Sequence, residues 1–579
     1  MNELKKIFTK NLKPRQRQYE ALRMVALDGK SFAEAASKFK YSEQSVRNMK
    51  QLVLSGKLDF FPDVSTGPRG SRTSPQLISK ILELRKDGKS IYNIFDFLKE
   101  QSTELPLSSI AAILAKAGVE KLARRSNTEL GYSQKKILLA DRAKNISFDK
   151  LKPFKIDCPV AGVFLFLPYI IESGVLDIVR KCNLPTSVEI GATQAALSIL
   201  LLKLIGNERL SHIRAYDEEP GLGIFSGLTG LPKPSYMGSY SCRTSEAMLQ
   251  NLQIEVMTHF QKMYPEFYQS KFINLDFHSI PHFGEESQME KVWCGARGKS
   301  LKGANTILAQ DGNSDVILYT KADILRKNET KEIKNFIKYW REVKGNINET
   351  LVFDCKLTEY KILGELDAET QPVKFITLRK RHLKLIKETE LIAEDQWVKT
   401  YLPIPKRKNQ RFLIHENQVS LANCKKPLRQ IIIKDHGRTK PTFVITNDWS
   451  LDVKQILTVY AKRWHIENKL SELVSFFNLN ALSSPLMVRI YFDIFWTTVA
   501  DTLYHRLAQD LPRYEKVRAP TLFRRFINFP GRVEYDGESF TIKIRKRAHT
   551  PLVLGVEKLN RPVKVPWLQN LPLKIVWTA

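Results

Sequence analysis

Apolar residues recur with helical spacing in the segment YAKRWHIENKLSELVSFF, residues 460–477. At the 100° per residue of an α-helix, Val459, Ile466, Leu470, Leu473 and Phe477 fall on one side. This spacing predicts a buried stripe that anchors the helix in a core. The other side is polar and is expected to face solvent, and its residues are Lys462, His465, Asn468, Lys469 and Glu472.

A third strip of this predicted helix, at the edge of the apolar stripe, carries Tyr460, Arg463 and Glu467. A phenol, a guanidinium and a carboxylate on one line of a rigid element are suited to form a binding site. Taken alone, the pattern favours a simpler interpretation, an i,i+4 ion pair worth about 0.2–0.5 kcal/mol. The elements upstream of this helix change that balance.

Alternating and β-rich runs upstream predict strands. FINLDFHSI is expected to be a buried strand with Asp276 near its end, and NTILAQDGNSDVILYT a hairpin on its D-G-N turn. ETKEIKNFIKYWREVKG is expected to be a helix ended by Gly345, followed by the strand LVFDCK with Asp354. FVITND is expected to return to the sheet edge, and Asp448 or Ser450 to cap the helix that carries Glu467.

The first 150 residues contain an internal repeat on the tetrapeptide D-G-K-S, whose two copies are 59 positions apart. In each copy a periodic helix ends near the glycine, and Ser31 or Ser90 caps the next helix, with Glu34 completing a capping box. The turn KYS and the segment SEQSVRNMKQLV then complete the order of a helix-turn-helix. The third helix of the first copy offers side chains of the types that reach bases and phosphates in a major groove, namely Gln44, Ser45, Arg47, Asn48 and Lys50.

Two other parts of this region allow more than one interpretation. The second copy of the repeat is more apolar in residues 107–117 and is either a second DNA contact or a packing module. The linker between the copies is rich in Gly, Pro and Ser, and Arg69 and Arg72 within it are candidates for an arm in a minor groove. A simple hinge is the more common role of such a stretch.

Charge identifies the class of partner. The chain of 579 residues has 91 basic and 61 acidic residues, a net charge of +30, and a hydrophobic content of 43% that is typical of globular proteins. Such an excess points to a polyanion, most often nucleic acid. An anionic membrane is the alternative, but no uninterrupted apolar run reaches about 18 residues, and the N-terminus lacks the apolar segment of a secretory signal.

The β-type runs KFITLRKR, QWVKTYLPI, QRFLIHE and LRQIIIKD fill part of the 113 positions between Asp354 and Glu467. They predict a β-rich insertion over residues 371–440, which has 17 basic and 6 acidic residues. A surface meander with solvated charges would not explain this one-sided sign. We therefore expect its basic face to contact DNA, with Arg379, Lys380 and Arg381 as candidates.

Cysteine and histidine spacing argues against a metal-binding frame of these residues. The six cysteines are scattered without a C-x-x-C pair, which favours reduced thiols in a cytoplasm and neither disulfides nor a zinc site. His278 and His282 lie four positions apart beside Asp276, but Pro281 between them makes helical geometry doubtful. Local packing or substrate contact is the favoured role of these two histidines.

The pattern Y-x2-R-x3-E, preceded by FVITND, resembles the signature of insertion-sequence DDE transposases. LDFHSI with Asp276, LVFDCK with Asp354 and the segment 162–231, which leads into DEEPGLGIFSGLTGLPKPS (residues 217–235), are also similar to that family. The resemblance covers roughly residues 154–507. The family pattern continues as x6-K to a lysine that contacts a transposon-end phosphate, and this chain has Val474 at that position.

The resemblance implies an RNase H-like catalytic domain in which Asp276, Asp354 and Glu467 hold Mg²⁺, with Mn²⁺ able to substitute. Asp276 would bridge two ions, Asp354 would bind one and Glu467 the other. Arg463 would grip a phosphate, and Tyr460 would stack on or hydrogen-bond to the DNA strand. The family works on double-stranded DNA, both transposon ends and target, as a homodimer in a paired-end complex without a nucleotide cofactor.

These observations predict a DNA transposase that binds inverted terminal repeats, cleaves at the ends and transfers the 3′-hydroxyl strands to target DNA. The alternatives are an inactive or domesticated chain acting as a DNA-binding regulator, and an RNase H-like nuclease. The predicted fold class is multidomain α+β or α/β, with a tandem helix-turn-helix, an RNase H-like mixed sheet flanked by helices, and a β-rich insertion. The predicted divisions are residues 1–57 (helix-turn-helix), 58–73 (linker), 74–150 (second helix-turn-helix-like copy), 155–265 (helical region), 266–370 and 441–510 (catalytic core), 371–440 (insertion) and 511–579 (C-terminal β-containing region, with no chemistry assigned).

Overall fold

A computed structural model describes the chain in two compact units, Met1–Ile137 and Leu138–Ala579. The residues described are 14–61, 73–103, 105–119, 143–207, 210–216, 219–282, 289–294, 298–322, 324–404, 407–436, 440–481 and 486–579.

The described part of the smaller unit is helical. Gly29 and Gly88 of the repeated tetrapeptide both adopt positive φ, +64° and +72°, which is why glycine suits this turn. Ser31 and Ser90 cap the helices that follow, with capping boxes to Glu34 and Asn93, so the predicted caps are confirmed. The helices are α1 Pro14–Ala26, α2 Phe32–Phe39, α3 Glu43–Leu54, α4 Pro75–Lys86, α5 Ile91–Glu100 and α6 Leu107–Lys116.

Each set of three helices encloses a core of its own. Val46 and Met49 of α3 are buried against α2 in the first set. Ile81, Ile94 and Ile110, one from each helix, are fully buried in the second set. The repeat in the sequence therefore corresponds to two small three-helix modules.

The larger unit is built on a mixed sheet. In the described residues it has ten strands in the order β3-β4-β2-β6-β7-β11-β10-β9-β8, with β5 paired to β4. Strand β6 runs parallel to both β2 and β7, and the other pairs are antiparallel. The strands are β2 Phe272–Pro281, β3 Lys291–Cys294, β4 Lys299–Asp311, β5 Ile317–Lys321, β6 Thr350–Phe353, β7 Phe375–Leu378, β8 Val398–Ile404, β9 Arg407–Val419, β10 Leu428–Lys434 and β11 Thr442–Thr446.

The stretch 371–440 continues this sheet. Its first strand, β7, pairs with β6, and its last, β10, pairs with β11. Strand β11, which carries FVIT, therefore lies inside the sheet between β7 and β10, and the prediction that it returns to the sheet edge is wrong. The physical reason is that β8–β10 add further strands beyond it.

Helices form the remainder of the core. Helix α18 is buried along most of its length and packs against α9, α12 and β5. No single helix in the described residues is long and apolar enough to cross a membrane, although the pair Ala161–Glu172 and Val175–Lys181, bent by 62°, passes on length and composition when joined. The helices are α7 Leu167–Glu172, α8 Val175–Lys181, α9 Ala192–Leu204, α10 Pro220–Phe225, α11 Pro234–Tyr240, α12 Glu246–Met263, α13 Glu332–Lys344, α14 Tyr360–Asp367, α15 Leu383–Glu390, α16 Val453–Lys462, α17 Trp464–Ser475, α18 Met487–Asp510, α19 Ala519–Leu522, α20 Thr550–Leu554 and α21 Glu557–Asn560.

A second sheet has five described strands in the order β1-β12-β13-β15-β14. The predicted hairpin on Asp536 and Gly537 joins β12 to β13, and Gly537 has a φ of +106°. Strand β1 comes from the beginning of the unit and pairs with β12 near its end. The strands are β1 Phe154–Cys158, β12 Gly531–Tyr535, β13 Phe540–Arg545, β14 Val563–Val565 and β15 Leu571–Thr578.

A candidate active site where two parallel strands meet a broken helix

Asp276 and Asp354 lie side by side because of strand register. The parallel pairing of β2 with β6 ends at Leu275 opposite Phe353, so the next residue of each chain segment is an aspartate. Neighbouring parallel strands point their carboxyl ends the same way, which brings together side chains that are 78 positions apart in sequence. Strand β2 itself continues to Pro281 along β4, so Asp276 lies in mid-strand and not near its end as predicted.

The segment predicted as one helix is two helices. Helix α16 ends at Lys462, α17 begins at Trp464, and Arg463 joins them. Asp452 caps α16 through a capping box, so the predictions of Asp448 or Ser450 as the cap are wrong. Asp448 instead accepts a hydrogen bond from Ser450 and pairs with Lys374 at 3.2 Å, which leaves Asp452 as the first side chain able to reach the α16 amides.

Arg463 connects the helical acid to the strand acid. Its Nη1 donates to Asp276 Oδ2 at 3.0 Å and its Nη2 to Glu467 Oε1 at 3.2 Å. Only 11% of the arginine side chain is exposed, whereas Glu467 keeps 44% exposure. The guanidinium therefore lies between two of the three carboxylates and fixes the start of α17 beside the strand ends.

The three carboxylates also act on one another electrostatically. Burial raises the pKa of Asp276, the Arg463 charge opposes this, and the charges of Asp354 and Glu467 raise it further. Burial lowers the pKa of Arg463, but Tyr460 and the three carboxylates more than offset this, so its pKa is raised. Arg463 thus stays charged, and its single positive charge lies among three carboxylates.

A cleft of about 470 Å³ opens beside these groups. Asp354, Arg463 and Glu467 line one part of it, and Tyr460 and Trp464 contribute rings from either side of the helix break. The remaining lining residues are Leu378, Leu402, Phe412, Ile433, His436, Thr442, Leu457 and Ala461. The cleft joins a charged end to an apolar wall of the size that a nucleotide base or sugar could contact.

Trp464 was missed by the sequence reasoning. Its side chain is among the exposed large aromatic groups, at 42% exposure, and it follows Arg463 directly. In a single helix it would lie four residues after Tyr460, beside the strip of Tyr460 and Glu467, and in the structure it lines the cleft with them. Its adjacency to the Y-x2-R-x3-E pattern was the available signal.

Two residues predicted to face solvent are buried. Lys469 and Glu472 of α17 are 3% and 6% exposed. Lys469 Nζ donates to Asp501 Oδ1 at 2.6 Å, to His505 Nε2 at 2.9 Å and to Glu472 Oε2 at 3.4 Å, and Glu472 Oε1 accepts from the Ala519 amide at 2.8 Å. Because their partners on α18 and α19 satisfy these charges in the interior, Lys469 and Glu472 are buried although the helical pattern predicts that they face solvent. Of the predicted stripe, Ile466, Leu470, Leu473 and Phe477 are confirmed as buried, and Val459 is half-buried.

The predicted basic contacts of the 371–440 stretch separate into two kinds. Lys380 and Arg381 are exposed, and their charges act on the Cys355 thiol next to Asp354. Arg379 is half-buried and donates to Gln430 Oε1 at 2.8 Å, a contact within the sheet. Lys380 and Arg381 are therefore available to a ligand, whereas Arg379 has a partner within the sheet.

In the smaller unit, the predicted contact residues of α3 lie around the part of the helix that does not face the core. Gln44, Arg47, Asn48 and Lys50 are exposed and Ser45 is half-buried, while Val46 and Met49 face the core. Arg47 and Lys50 lie over the Phe32 ring, at 4.6 and 5.6 Å from its centre. Arg69 and Arg72 lie outside the described residues.

Two further predictions concern single residues. His278 is hydrogen-bonded to Asn480 at 2.7 Å, and burial lowers its pKa, which agrees with local packing, one of the two roles expected for it. Val474, at the position of the family's lysine, is half-buried and packs against the main core of the unit, so it offers nothing to a phosphate.

The acidic groups are not a preformed metal centre. Carboxylate oxygens are the donors that Mg²⁺ and Mn²⁺ take, so the chemistry of Asp276, Asp354 and Glu467 suits such an ion. As positioned around Arg463, however, the described residues contain no group of three or more His, Cys, Asp or Glu side chains that could hold a metal ion. The donor type fits and the spacing does not.

Comparison with known proteins gives no family for this chain. No family model matches it, and no curated protein matches it. It is similar to a piggyBac transposase synaptic complex with hairpin DNA, at 12% identity over 67% of this chain and 82% of that chain, with a TM-score of 0.36. It is similar to the Mos1 mariner paired-end complex with Mn, at 9% identity over 59% of this chain and 71% of that chain, with a TM-score of 0.13. Similarities at these scores assign neither a fold nor a function.

Proposed function

We propose that this protein is a transposase-type enzyme that cleaves the ends of a DNA element and transfers the strands to target DNA. The observation that carries the proposal is that Arg463 bridges Asp276 and Glu467 beside a cleft lined by Asp354, Arg463 and Glu467. The three acids come from two strands and a helix that are 78 and 113 positions apart, and each element has its own core anchor. Such a costly gathering of acids around one arginine is typical of a site for chemistry.

The side chains of the cleft supply groups that phosphodiester chemistry uses. The planar guanidinium of Arg463 can hold a phosphate in bidentate fashion, and its present carboxylate partners show the orientation of its two donor nitrogens. Tyr460 and Trp464 offer ring faces to bases. Lys380 and Arg381 add positive charge on the approach to Asp354. Mg²⁺ or Mn²⁺ is the cofactor that the all-oxygen donor set would select.

The order of the elements supports an RNase H-like core within this proposal. A strand, an antiparallel hairpin, a helix and a parallel strand follow one another as β2, β4–β5, α13 and β6, and the helix with the third acid comes later. The two three-helix modules of the smaller unit, with the polar face of α3, would recognise the terminal repeats as helix-turn-helix domains. Homodimers in a paired-end complex complete the proposed assembly.

One observation favours a second candidate, a DNA-binding chain that does not cut. Arg463 occupies the space between Asp276 and Glu467, and the described residues form no preformed metal centre. A regulator that keeps the fold and the basic surfaces would have the same features.

Cleavage assays on three charge-removing variants distinguish the two functions. Asp276→Asn, Asp354→Asn and Glu467→Gln keep side-chain shape, and each should reduce cleavage of end DNA in Mg²⁺ or Mn²⁺ by roughly 1,000-fold or more. Binding of the same DNA should change little, and a double variant should lose no more than a single one, since the acids act as a unit. Glu388→Gln, an exposed helical glutamate of α15, is the matched control and should cut normally.

The outcomes separate cleanly. If the wild type cleaves end DNA and the Glu467→Gln variant cleaves it equally well, the third acid is misassigned. Binding without cleavage by the wild type in both metals, with unchanged behaviour of all variants, would favour the regulator.

A further inference from the structure

The five-stranded sheet has one buried and one exposed face. Along β13 the side chains of Phe540, Ile542 and Ile544 are fully buried, and those of Thr541, Lys543 and Arg545 alternate with them. The strand register carries this alternation across the sheet. The residues on the exposed side, called here the C-terminal sheet face, are Lys155, Asp157, Arg532, Glu534, Thr541, Lys543, Arg545, Lys564, Pro572, Lys574, Val576 and Thr578.

The C-terminal sheet face carries more cations than its own acidic residues can pair with. It carries six cationic and two anionic side chains, and each anion is already paired. Arg532 pairs with Asp157 at 3.1 Å, and Lys543 with Glu534 at 2.8 Å. The four cations that make no ion pair with another described residue are Lys155, Arg545, Lys564 and Lys574.

The surroundings of the face keep the same sign. Residues 511–579 contain 14 basic and 5 acidic residues, so the whole region has an excess of nine positive charges. The exposed carboxylates of Asp536 and Glu538 lie at the hairpin tip, and Asp536 accepts backbone hydrogen bonds there. At the opposite end of β13, Lys546 and Arg547 continue the basic surface. The face is therefore bounded by acids at one end only.

Its dimensions suit a duplex. Every one of the five strands contributes at least one cation, and strands about 4.8 Å apart place Lys155 of β1 and Lys564 of β14 roughly 19 Å apart. The major groove of B-DNA is about 12 Å wide, so cations on the outer strands can reach the phosphates on both of its sides. No outward position of the face carries an aromatic ring, so stacking on bases or insertion into a lipid surface has no side chain to make it.

We propose, resting on the DNA-processing function above for the choice of ligand, that the C-terminal sheet face binds the phosphate backbone of double-stranded DNA without regard to sequence. The cations contact phosphates, and the face carries no Asn or Gln side chain of the kind that pairs with the edge of adenine. This surface would hold target or flanking DNA, a role separate from recognition of the ends by the smaller unit and from chemistry in the cleft.

The salt dependence of binding measures the number of phosphate contacts. The full chain is titrated with a duplex of about 30 base pairs that lacks the terminal repeat, at several salt concentrations. In the variant Lys155→Gln, Arg545→Gln, Lys564→Gln and Lys574→Gln, the slope of log K against log salt should become less negative by about 0.9 per lost contact, up to about 3.6. All four side chains are exposed, so the melting temperature should stay unchanged.

A matched variant controls for the loss of net charge. Lys327→Gln, Lys331→Gln, Lys338→Gln and Lys361→Gln remove the same charge from exposed positions around α13 and α14, and the slope should stay near that of the wild type. An equal slope change in both variants would reduce the proposal to a general charge effect and overturn it. So would an unchanged slope in the first variant.

Two further measurements keep the ligand and the function distinct. Vesicles with phosphatidylserine are the other polyanionic probe, and loss of vesicle binding with an unchanged DNA slope would overturn the proposal in favour of a membrane surface. Cleavage of pre-bound end DNA should be unaffected in the first variant. Failure of the cleavage function itself would appear in the Glu467→Gln assay and leave the salt slope as it is.

Discussion

Replacing Lys469 by methionine should destabilise the larger unit strongly, although the residue touches neither the cleft nor solvent. Its ammonium donates to Asp501, His505 and Glu472, which uses all three of its hydrogen-bond donors. Burial lowers the pKa of Lys469, but Asp501 and Glu472 more than offset this, so its pKa is raised and it stays charged. Methionine would fill the volume and leave two carboxylates buried without a cation.

The structure sets the size of this effect. Asp501 and Glu472 are 1% and 6% exposed, and breaking a buried ion pair by removing one partner costs about 3–5 kcal/mol. At about 2.1 cal/mol/K per residue, a unit of roughly 440 residues has an unfolding entropy near 0.9 kcal/mol/K. The melting temperature of the larger unit should therefore fall by about 3–5 °C in Lys469→Met.

Calorimetry of the full chain measures this shift, and two variants test its cause. Lys454→Met replaces an exposed lysine of α16 and should change the melting temperature by less than about 1 °C. The double variant Lys469→Met and Asp501→Asn removes the lysine and one of its two carboxylate partners and should melt above the sum of the single losses by about 2 °C, because one of the two uncompensated anions is gone. Strict additivity of the two single losses, or a Lys469→Met shift no larger than the control, would refute the buried-pair reasoning.

Two further predictions concern pH and DNA binding. Burial, reinforced by the Lys469 charge, lowers the pKa of His505 to about 3, so the unfolded chain takes up its proton first as pH falls. The stabilisation that neutral His505 contributes is complete above about pH 6.5 and is lost as the pH falls toward 3. The loss is less than 1.36 kcal/mol per pH unit because 24% of the side chain is exposed. A plot of melting temperature against pH should be flatter in this window for His505→Gln, and an identical slope would contradict the assignment. The double variant Lys380→Glu and Arg381→Glu should weaken DNA binding and reduce the slope of log K against log salt by about 1.8 without changing the melting temperature. Arg379→Glu should instead lower the melting temperature because it breaks the hydrogen bond to Gln430. Gel shifts measure the first effect and calorimetry the second, and the reverse pattern would exchange the two roles.

The strand-borne half of the candidate site could be predicted from the sequence, and the helix-borne half only in part. Asp276 and Asp354 stand in alternating apolar runs, and such runs identify strands well because burial of one face imposes a period of two. The break at Arg463 could not be predicted, since Tyr460 to Glu467 is a continuous helical pattern without Pro or Gly. At this break Arg463 donates to Asp276, which is 187 positions away in the sequence.

The burial of Lys469 and Glu472 could not be predicted from the periodicity of the sequence either. A pattern rule places Lys469 and Glu472 in solvent because isolated charges are rarely buried. Their compensation comes from Asp501 on another helix and the Ala519 amide, which the local sequence does not reveal. The same limit applies to β11, whose position inside the sheet depends on strands added by the stretch before it.

The break at Arg463 has a consequence for how such a protein can change over evolution. Ile456 and Leu457 of α16 belong to a separate apolar core with strands β6 to β11, while Leu470 and Leu473 of α17 belong to the main core with α18. The helices on the two sides of Arg463 are therefore packed in different cores. Lengthening or reshaping the β8–β9 hairpin would move Tyr460 with its wall of the cleft and leave the carboxylate of Glu467 where the other core holds it. The Tyr460 wall of the cleft could then change shape while the position of the Glu467 carboxylate is kept.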